Sequence, residues 1–250
     1  MRTLHLGTAT IEVYPDAAAL NRAGMELFLR AGREAVAARA RFTVALSGGS
    51  TPKAIYSLLA EQGQTALPWE KVEIFFGDER AVPPEHPESN YGMAREAFLS
   101  RVLLPAANIH RIPTELGAKA AAQAYEADLR AAVGTAPEEC PRLDLILLGL
   151  GPDGHTASLF PGTSALTERR ALVVANWVES LGKERVTLTY RVINEAAEVV
   201  FIAGGKEKAV MLRNVLRGAP SGTKYPAQSV QPHSGRLLWL VDEAAAAVLG

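Results

Sequence analysis

Residues 143–158 read Leu143-Asp144-Leu145-Ile146-Leu147-Leu148-Gly149-Leu150-Gly151-Pro152-Asp153-Gly154-His155-Thr156-Ala157-Ser158. The apolar run from Leu143 to Leu148 has no polar alternation after Asp144, so it suits a strand covered on both faces, the interior of a parallel sheet. Glycine and polar residues follow it at once. Two earlier stretches share this build: Phe42–Leu46 runs into Ser47-Gly48-Gly49-Ser50-Thr51-Pro52, and Val72–Phe76 runs into Gly77-Asp78-Glu79-Arg80 and a proline-rich loop. In open α/β sheets, ligands bind beyond the carboxyl ends of strands, where these three polar loops would lie.

Helical patterns separate the strands. An Ala-rich amphipathic helix is expected from about Asp16 to Ala40, and others over Asn90–Leu104 and Lys119–Val133. Thr51 suits an N-cap and Pro52 a first helical position. The second half repeats the alternation, with strands expected at Ala171–Ala175, Val186–Tyr190, Val199–Ala203 and Leu237–Val241, and helices at Lys206–Leu216 and Asp242–Leu249. Strands alternating with helices imply βαβ crossovers and a mostly parallel sheet. The stretch 137–141, Pro137-Glu138-Glu139-Cys140-Pro141, reads as a loop and not a linker, so residues 1–250 are expected to form a single α/β domain.

Composition narrows the function. The 250 residues are 48% hydrophobic and 21% charged, ordinary globular usage. The 26 Lys+Arg against 27 Asp+Glu leave a net charge of −1, which argues against a general nucleic-acid binder but not against a small basic pocket. One cysteine, Cys140, rules out an intrachain disulfide and a Cys-rich zinc site. Met1–Gly7 lacks the apolar core of a secretory signal and no long apolar run follows, so a cytoplasmic protein with no membrane partner is expected.

The three loops carry the chemistry. Ser47-Gly48-Gly49-Ser50-Thr51 offers small residues, hydroxyls and a helix N-terminus, the parts of a phosphate cradle. It lacks the Gly-Lys-Ser/Thr ending of a Walker A loop. Ser47, Asp144 and His155 also follow the chain order of an α/β-hydrolase triad, although no HGGG-type oxyanion loop accompanies them. Gly149–Gly154 matches G-x-G-x-x-G, but Pro161 leaves little room for the helix a dinucleotide site needs. His155, beside Asp153 on a glycine-rich loop, is a candidate general base, whereas the other four histidines show no metal-ligand spacing. Asp78-Glu79-Arg80 reads either as a solvated turn or as an arginine for anion contact with carboxylates holding it or a water. Arg185, Lys206 and Lys208 could add phosphate contacts.

Together, Leu46–Pro52, Gly77–Arg80 and the long segment Gly149–Pro161 resemble the 6-phosphogluconolactonase family, in order and spacing over essentially the whole chain. Related glucosamine-6-phosphate deaminases share the Gly-x-Gly-x-Asp-Gly-His core but carry Asp-Glu-Tyr at 78–80 and a Gly-Phe-Asn-Glu segment after the histidine. The resemblance implies hydrolysis of 6-phospho-D-glucono-1,5-lactone in the pentose phosphate pathway, without metal, cofactor or covalent intermediate, on a modified Rossmann-like sheet with helices on both faces. It implies a small phosphosugar lactone as partner, and a monomer or small homo-oligomer is expected. By position, Gly48, Gly49, Ser50, Thr51, Arg185 and Lys208 would bind phosphate and Arg80 would contact substrate. Asp153 and His155 would be catalytic, and the Gly151 and Gly154 amides are candidates for the oxyanion site. A reading of another class, a non-catalytic sugar-phosphate sensor, needs the cradle but not the base.

Overall fold

The computed structural model describes residues 1–136 and 138–249. Strands β1 (Arg2–Leu6) and β2 (Ala9–Tyr14) form a hairpin that leads into α1 (Ala17–Arg39). Then come β3 (Phe42–Leu46), α2 (Ser50–Gln62), β4 (Val72–Phe76), β5 (Asp78–Arg80), α3 (Asn90–Ala94) and α4 (Ala118–Val133). The remainder is β6 (Leu145–Leu148), β7 (Val173–Val178), β8 (Lys183–Leu188), α5 (Tyr190–Glu195), β9 (Glu198–Ala203), α6 (Ala209–Arg217), β10 (Arg236–Asp242) and α7 (Glu243–Ala246).

Seven strands form the central sheet in the order β1-β2-β10-β9-β6-β3-β4, parallel throughout except for β1. Every residue of β3, β6 and β9 is buried, Thr43 and Glu198 included, as predominantly apolar runs predict for strands covered on both faces. On one side α1 presents Leu20, Phe28, Ala31 and Ala35, a helical stripe. Phe28 meets Phe42 edge-on at 5.4 Å and lies near Trp69 and Phe98. Truncating such a ring to Ala costs ~3–5 kcal/mol. On the other side Phe75 stacks at 4.5 Å on His110, which hydrogen-bonds Asp128 of α4. Asp16 caps α1 by accepting from the Ala19 amide at 2.7 Å.

A second sheet, β5-β8-β7, is antiparallel. This corrects two expectations. Gly77–Arg80 is not wholly a loop, since Asp78–Arg80 pairs with β8, and β7 and β8 are not successive parallel strands but a hairpin turning at Gly182. The strand expected at Ala171–Ala175 begins at Val173, because the Glu126 carboxylate takes the amides of Leu172 and Val173. The one expected to end at Tyr190 stops at Leu188, and Tyr190 opens a helix.

Helix ends also move. The helix expected over Asn90–Leu104 passes from α-type into π-type hydrogen bonding over Arg95–Leu99 and stops, and Leu104 precedes Pro105, which disfavours helix there. Lys206–Lys208 is a 3-10 turn before α6. Asp242 ends β10 and caps α7. The helix α2 starts two residues early: Gly49 is its N-cap, and Thr51 and Pro52 sit inside its first turn. Of the loop expected at 137–141, Pro137 lies outside the described residues.

Candidate active site

Chain order reverses across the sheet between β3 and β6: from β3 the chain steps to β4 on one side, then returns to β6 on the other. Such a switch point leaves a crevice at the strands' carboxyl ends. Here β3 and β6 pair only through Val44–Leu145 and Ala45–Ile146 and part beyond. A cavity of about 290 Å³ opens there, lined by the loop after β3, the loop after β6, Asp78 and Arg80 of β5, Asn90 of α3 and Lys208. All three loops singled out in the sequence therefore meet in one place.

The first wall is residues 47–52. As the start of α2, Ser50 and Thr51 have backbone N–H groups with no intrahelical acceptor, and no other group among the described residues takes them. Pro52 has no N–H, so the free donors are confined to the loop side of the turn. Gly48 must lack a side chain: a Cβ there would lie 1.9 Å from Asn90 Oδ1. Lys208 Nζ reaches the opposite rim, donating to the Leu150 carbonyl at 2.9 Å.

The second wall is the loop carrying His155. Its Nδ1 lies 2.5 Å from Asp153 Oδ1, and its backbone amide donates to the same oxygen at 3.1 Å. An ionised carboxylate there can only accept, so Nδ1 carries the hydrogen, and in the neutral ring Nε2, which has no partner among the described residues, holds the lone pair. Burial pushes the Asp153 carboxyl up, but the hydrogen bond and charge of His155 outweigh it and hold the group below the ordinary range. The imidazole is sandwiched. Phe160 stacks on it at 3.9 Å, and a Cβ at Gly151 would lie 2.1 Å from Nδ1.

The loop's own amides tell against one expectation. The Gly151 N–H donates to the His155 carbonyl at 2.8 Å and the Gly154 N–H to the Gly151 carbonyl at 3.1 Å. Both are spent on folding the loop and are not free oxyanion donors. The hydrolase-type triad also fails. Asp144 lies before β6, at the far end of the sheet, bound to Thr43 and Arg39, while Ser47 Oγ is buried without a hydrogen-bond partner.

The third wall is β5. Asp78 accepts from Ser158 Oγ at 2.6 Å, which ties β5 to the His155 loop. Glu79 does not hold the Arg80 guanidinium, contrary to expectation. Its buried carboxylate accepts from Ser89 Oγ and from the amides of Arg80, Asn90 and Tyr91, fastening β5 to the start of α3. Burial raises the Glu79 carboxyl above its ordinary value against the pull of those donors. The Arg80 head group instead donates to the Glu88 carbonyl at 2.5 Å. Arg185 is not on the cavity wall. It lies directly across the strand pair from Arg80, buried, with the Glu184 carbonyl as its hydrogen-bond acceptor among the described residues. Burial and then the like charge of Arg80 hold its guanidinium below the usual value.

Sequence reasoning missed Asn90, which donates to the Asp78 carbonyl at 2.9 Å while backing Gly48. It also missed Phe160 as the wall behind His155. Asn90 could have been suspected from the Pro-rich loop ending at Ser89, an N-cap residue, but its reach to two other loops is a tertiary fact. Among the described residues no group of three or more His, Cys, Asp or Glu side chains could hold a metal ion.

Comparison with known proteins gives the same picture. Residues 15–239 match the family model described as glucosamine-6-phosphate isomerases/6-phosphogluconolactonase. A 6-phosphogluconolactonase of a Nostoc species is 45% identical over 241 residues, covering 96% of this chain and 98% of that protein. The 6-phosphogluconolactonase of Homo sapiens is 41% identical over 85% of this chain and 82% of its own. A solved structure of 6-phosphogluconolactonase from Trypanosoma cruzi superposes with a TM-score of 0.87 at 30% identity, covering 100% of this chain and 99% of that one. With the fold, the switch-point crevice and the match across nine-tenths of its length in agreement, the chain belongs to the glucosamine-6-phosphate isomerase/6-phosphogluconolactonase family.

Proposed function

We propose that this chain is a 6-phosphogluconolactonase that hydrolyses 6-phospho-D-glucono-1,5-lactone to 6-phosphogluconate. The observation that carries the mechanism is the Asp153–His155 pair, 2.5 Å apart, with His155 on the wall of a cavity that has Lys208 at its rim and, on the opposite wall, helix-terminal amides free among the described residues.

The phosphate sits against the Ser50 and Thr51 amides, with the Gly48–Gly49 backbone allowing close approach and Lys208 adding charge. Arg80 brings a second cation to the cavity and Arg185 reinforces the positive potential from behind it. Anchoring the phosphate fixes C1 relative to His155, so binding far from the reacting carbon becomes orientation at it. His155 Nε2 takes a proton from water as the water oxygen bonds to C1. Asp153 keeps the ring in the required tautomer and stabilises the imidazolium. The imidazolium then returns the proton to the ring oxygen as the C1–O bond breaks, opening the lactone to the acid. A δ-lactone is an activated ester, so no metal, cofactor or serine ester is called for. With the Gly151 and Gly154 amides committed, the charge developing on the carbonyl oxygen falls to Arg80, whose guanidinium has one acceptor among the described residues.

The test is turnover. With excess 6-phosphogluconate dehydrogenase reporting product and spontaneous hydrolysis subtracted, the chain should accelerate opening of the phosphorylated lactone and release no ammonia from glucosamine 6-phosphate. Ammonia release without lactone hydrolysis would move it to the deaminase branch of the family. Binding of phosphosugars with neither reaction would make it a sensor.

A further inference from the structure

Two tyrosines far apart in the sequence do the same thing. Tyr56, on α2, is fully buried, and its hydroxyl accepts from the Ser47 N–H at 3.1 Å and donates to the Ser47 carbonyl at 2.9 Å. Tyr125, on α4, is fully buried, and its hydroxyl accepts from the Phe76 N–H at 2.7 Å and donates to the Phe76 carbonyl at 3.0 Å. Ser47 follows the last residue of β3 and Phe76 is the last residue of β4. In each case one hydroxyl satisfies both backbone groups of the residue at which the chain leaves the sheet for the site. Burial raises both phenols well above their ordinary values, so neither ionises near neutrality and each keeps its donor and its acceptor role.

The two clamps lead to different ends of the cavity. Ser47 opens onto Gly48, Gly49, Ser50 and Thr51, the anion cradle. Phe76 opens onto Gly77 and Asp78, and Asp78 is bonded to Ser158 of the His155 loop. We propose that Tyr56 and Tyr125 are separate positioning residues, Tyr56 holding the phosphate cradle in register and Tyr125 holding β5 and, through it, the catalytic loop. The inference rests on the reading of residues 48–51 as the phosphate cradle. Neither tyrosine touches the cavity, so each acts only through the backbone residue that it grips.

The experiment is steady-state kinetics of Tyr56→Phe, Tyr125→Phe and Lys208→Ala on phosphorylated and unphosphorylated glucono-δ-lactone, at a temperature where melting curves show each variant folded. Small displacements of positioning groups cost up to ~10²-fold, so a shift of about tenfold is expected from each tyrosine variant. For Tyr56→Phe it should fall on KM for the phosphorylated lactone, with kcat nearly unchanged and the preference for phosphate reduced. For Tyr125→Phe it should fall on kcat, on both lactones, with KM nearly unchanged. Should either Phe variant fail to fold, 4-aminophenylalanine at that position, which can still donate and accept, should restore folding and the wild-type parameter, and failure to do so counts against the clamp. Wild-type constants in both folded variants, or equal effects on KM and kcat in each, would overturn the proposal. If Lys208→Ala lowers the phosphate preference while Tyr56→Phe does not, the clamp alone is wrong. If Lys208→Ala leaves that preference intact, the cradle reading falls and the assignment of Tyr56 falls with it.

Discussion

At the amino-terminal ends of the central strands, Arg30 and Arg236 both close on Glu198, Arg39 pairs with Asp144, and Arg142 pairs with Glu195. At the carboxyl ends, Arg80, Arg185 and Lys208 have no ion pair among the described residues, and their hydrogen bonds go to the carbonyls of Glu88, Glu184 and Leu150. The same side chains thus serve two purposes in one sheet. A buried or half-buried cation without an ion pair is costly to fold around, and at Arg185 burial and the charge of Arg80 outweigh the carboxylates of Asp78, Glu88 and Glu79 and hold the guanidinium below its usual value. An anion arriving from outside would supply the missing partner. The difference teaches that pairing, and not the number of charges, distinguishes the working end of this sheet from the end that only holds it together.

The sharpest way to break this division is at His155. Replacing it with Asn keeps hydrogen-bonding capacity but removes a group that exchanges protons near neutrality, and turnover should fall ~10²–10⁴-fold with the melting temperature little changed. A folded His155→Asn variant with full lactonase activity would remove the proposed base while leaving the family unaffected.

Next in size are the unpaired cations. Lys208→Ala should cost ~1.5–3 kcal/mol in kcat/KM for the phosphorylated lactone, the scale of a hydrogen bond to a charged group, and Arg185→Ala less. Arg185 lies off the cavity wall, so its effect should be the smaller and the more sensitive to salt. Near-wild-type kinetics in both variants would make these cations spectators and erase the contrast.

The paired end predicts the converse. Asp144 accepts from the Thr43 amide at 2.8 Å, from Thr43 Oγ1 at 3.0 Å and from Arg39 at 2.5 Å. Asp144→Ala should lower unfolding stability by ~1–3 kcal/mol, since it orphans a largely buried amide, and leave kcat/KM untouched. Chemical denaturation measures the first and the coupled assay the second. Lost activity in a variant of undiminished stability would mean that the two ends are not independent.

The smallest effect belongs to a surface pair. Arg111 holds Glu115 at 2.5 Å and lowers its carboxyl to about 2. A carboxyl depressed in the folded state stabilises it above the unfolded value and loses that contribution as pH falls toward the folded one. The loss should therefore develop between pH 4.5 and about 2. The pair is largely exposed, so Glu115→Gln should cost only ~0.2–1 kcal/mol at neutral pH and flatten that part of the acid limb, read by thermal melts across pH.

Much of this molecule was legible in the chain. The ranges Phe42–Leu46 and Val72–Phe76 are the strands themselves, because short runs of mostly apolar β-formers end at turn residues, Ser47-Gly48-Gly49 and Gly77. The pair Asp153 and His155 was legible for a local reason too: two residues apart on a tight loop, they are held together by the loop's own backbone. Less visible were the second sheet and the β1–β2 hairpin, whose strands are short and partly exposed and carry no such run.

What the sequence by itself determined is therefore whatever arises within a few residues: the buried parallel strands, the polar loops after them and the base with its carboxylate. Only the tertiary structure decided which donors remain free. It turned Glu79 from a partner of Arg80 into the fastening of α3. It also set Arg80 against Arg185 across a strand pair 105 positions apart in the chain and brought Asn90 up to Gly48. The physical reason is that hydrogen-bond donors and charges are claimed by the nearest acceptor in space. Which acceptor is nearest depends on strand order and register, and no stretch of sequence contains both partners.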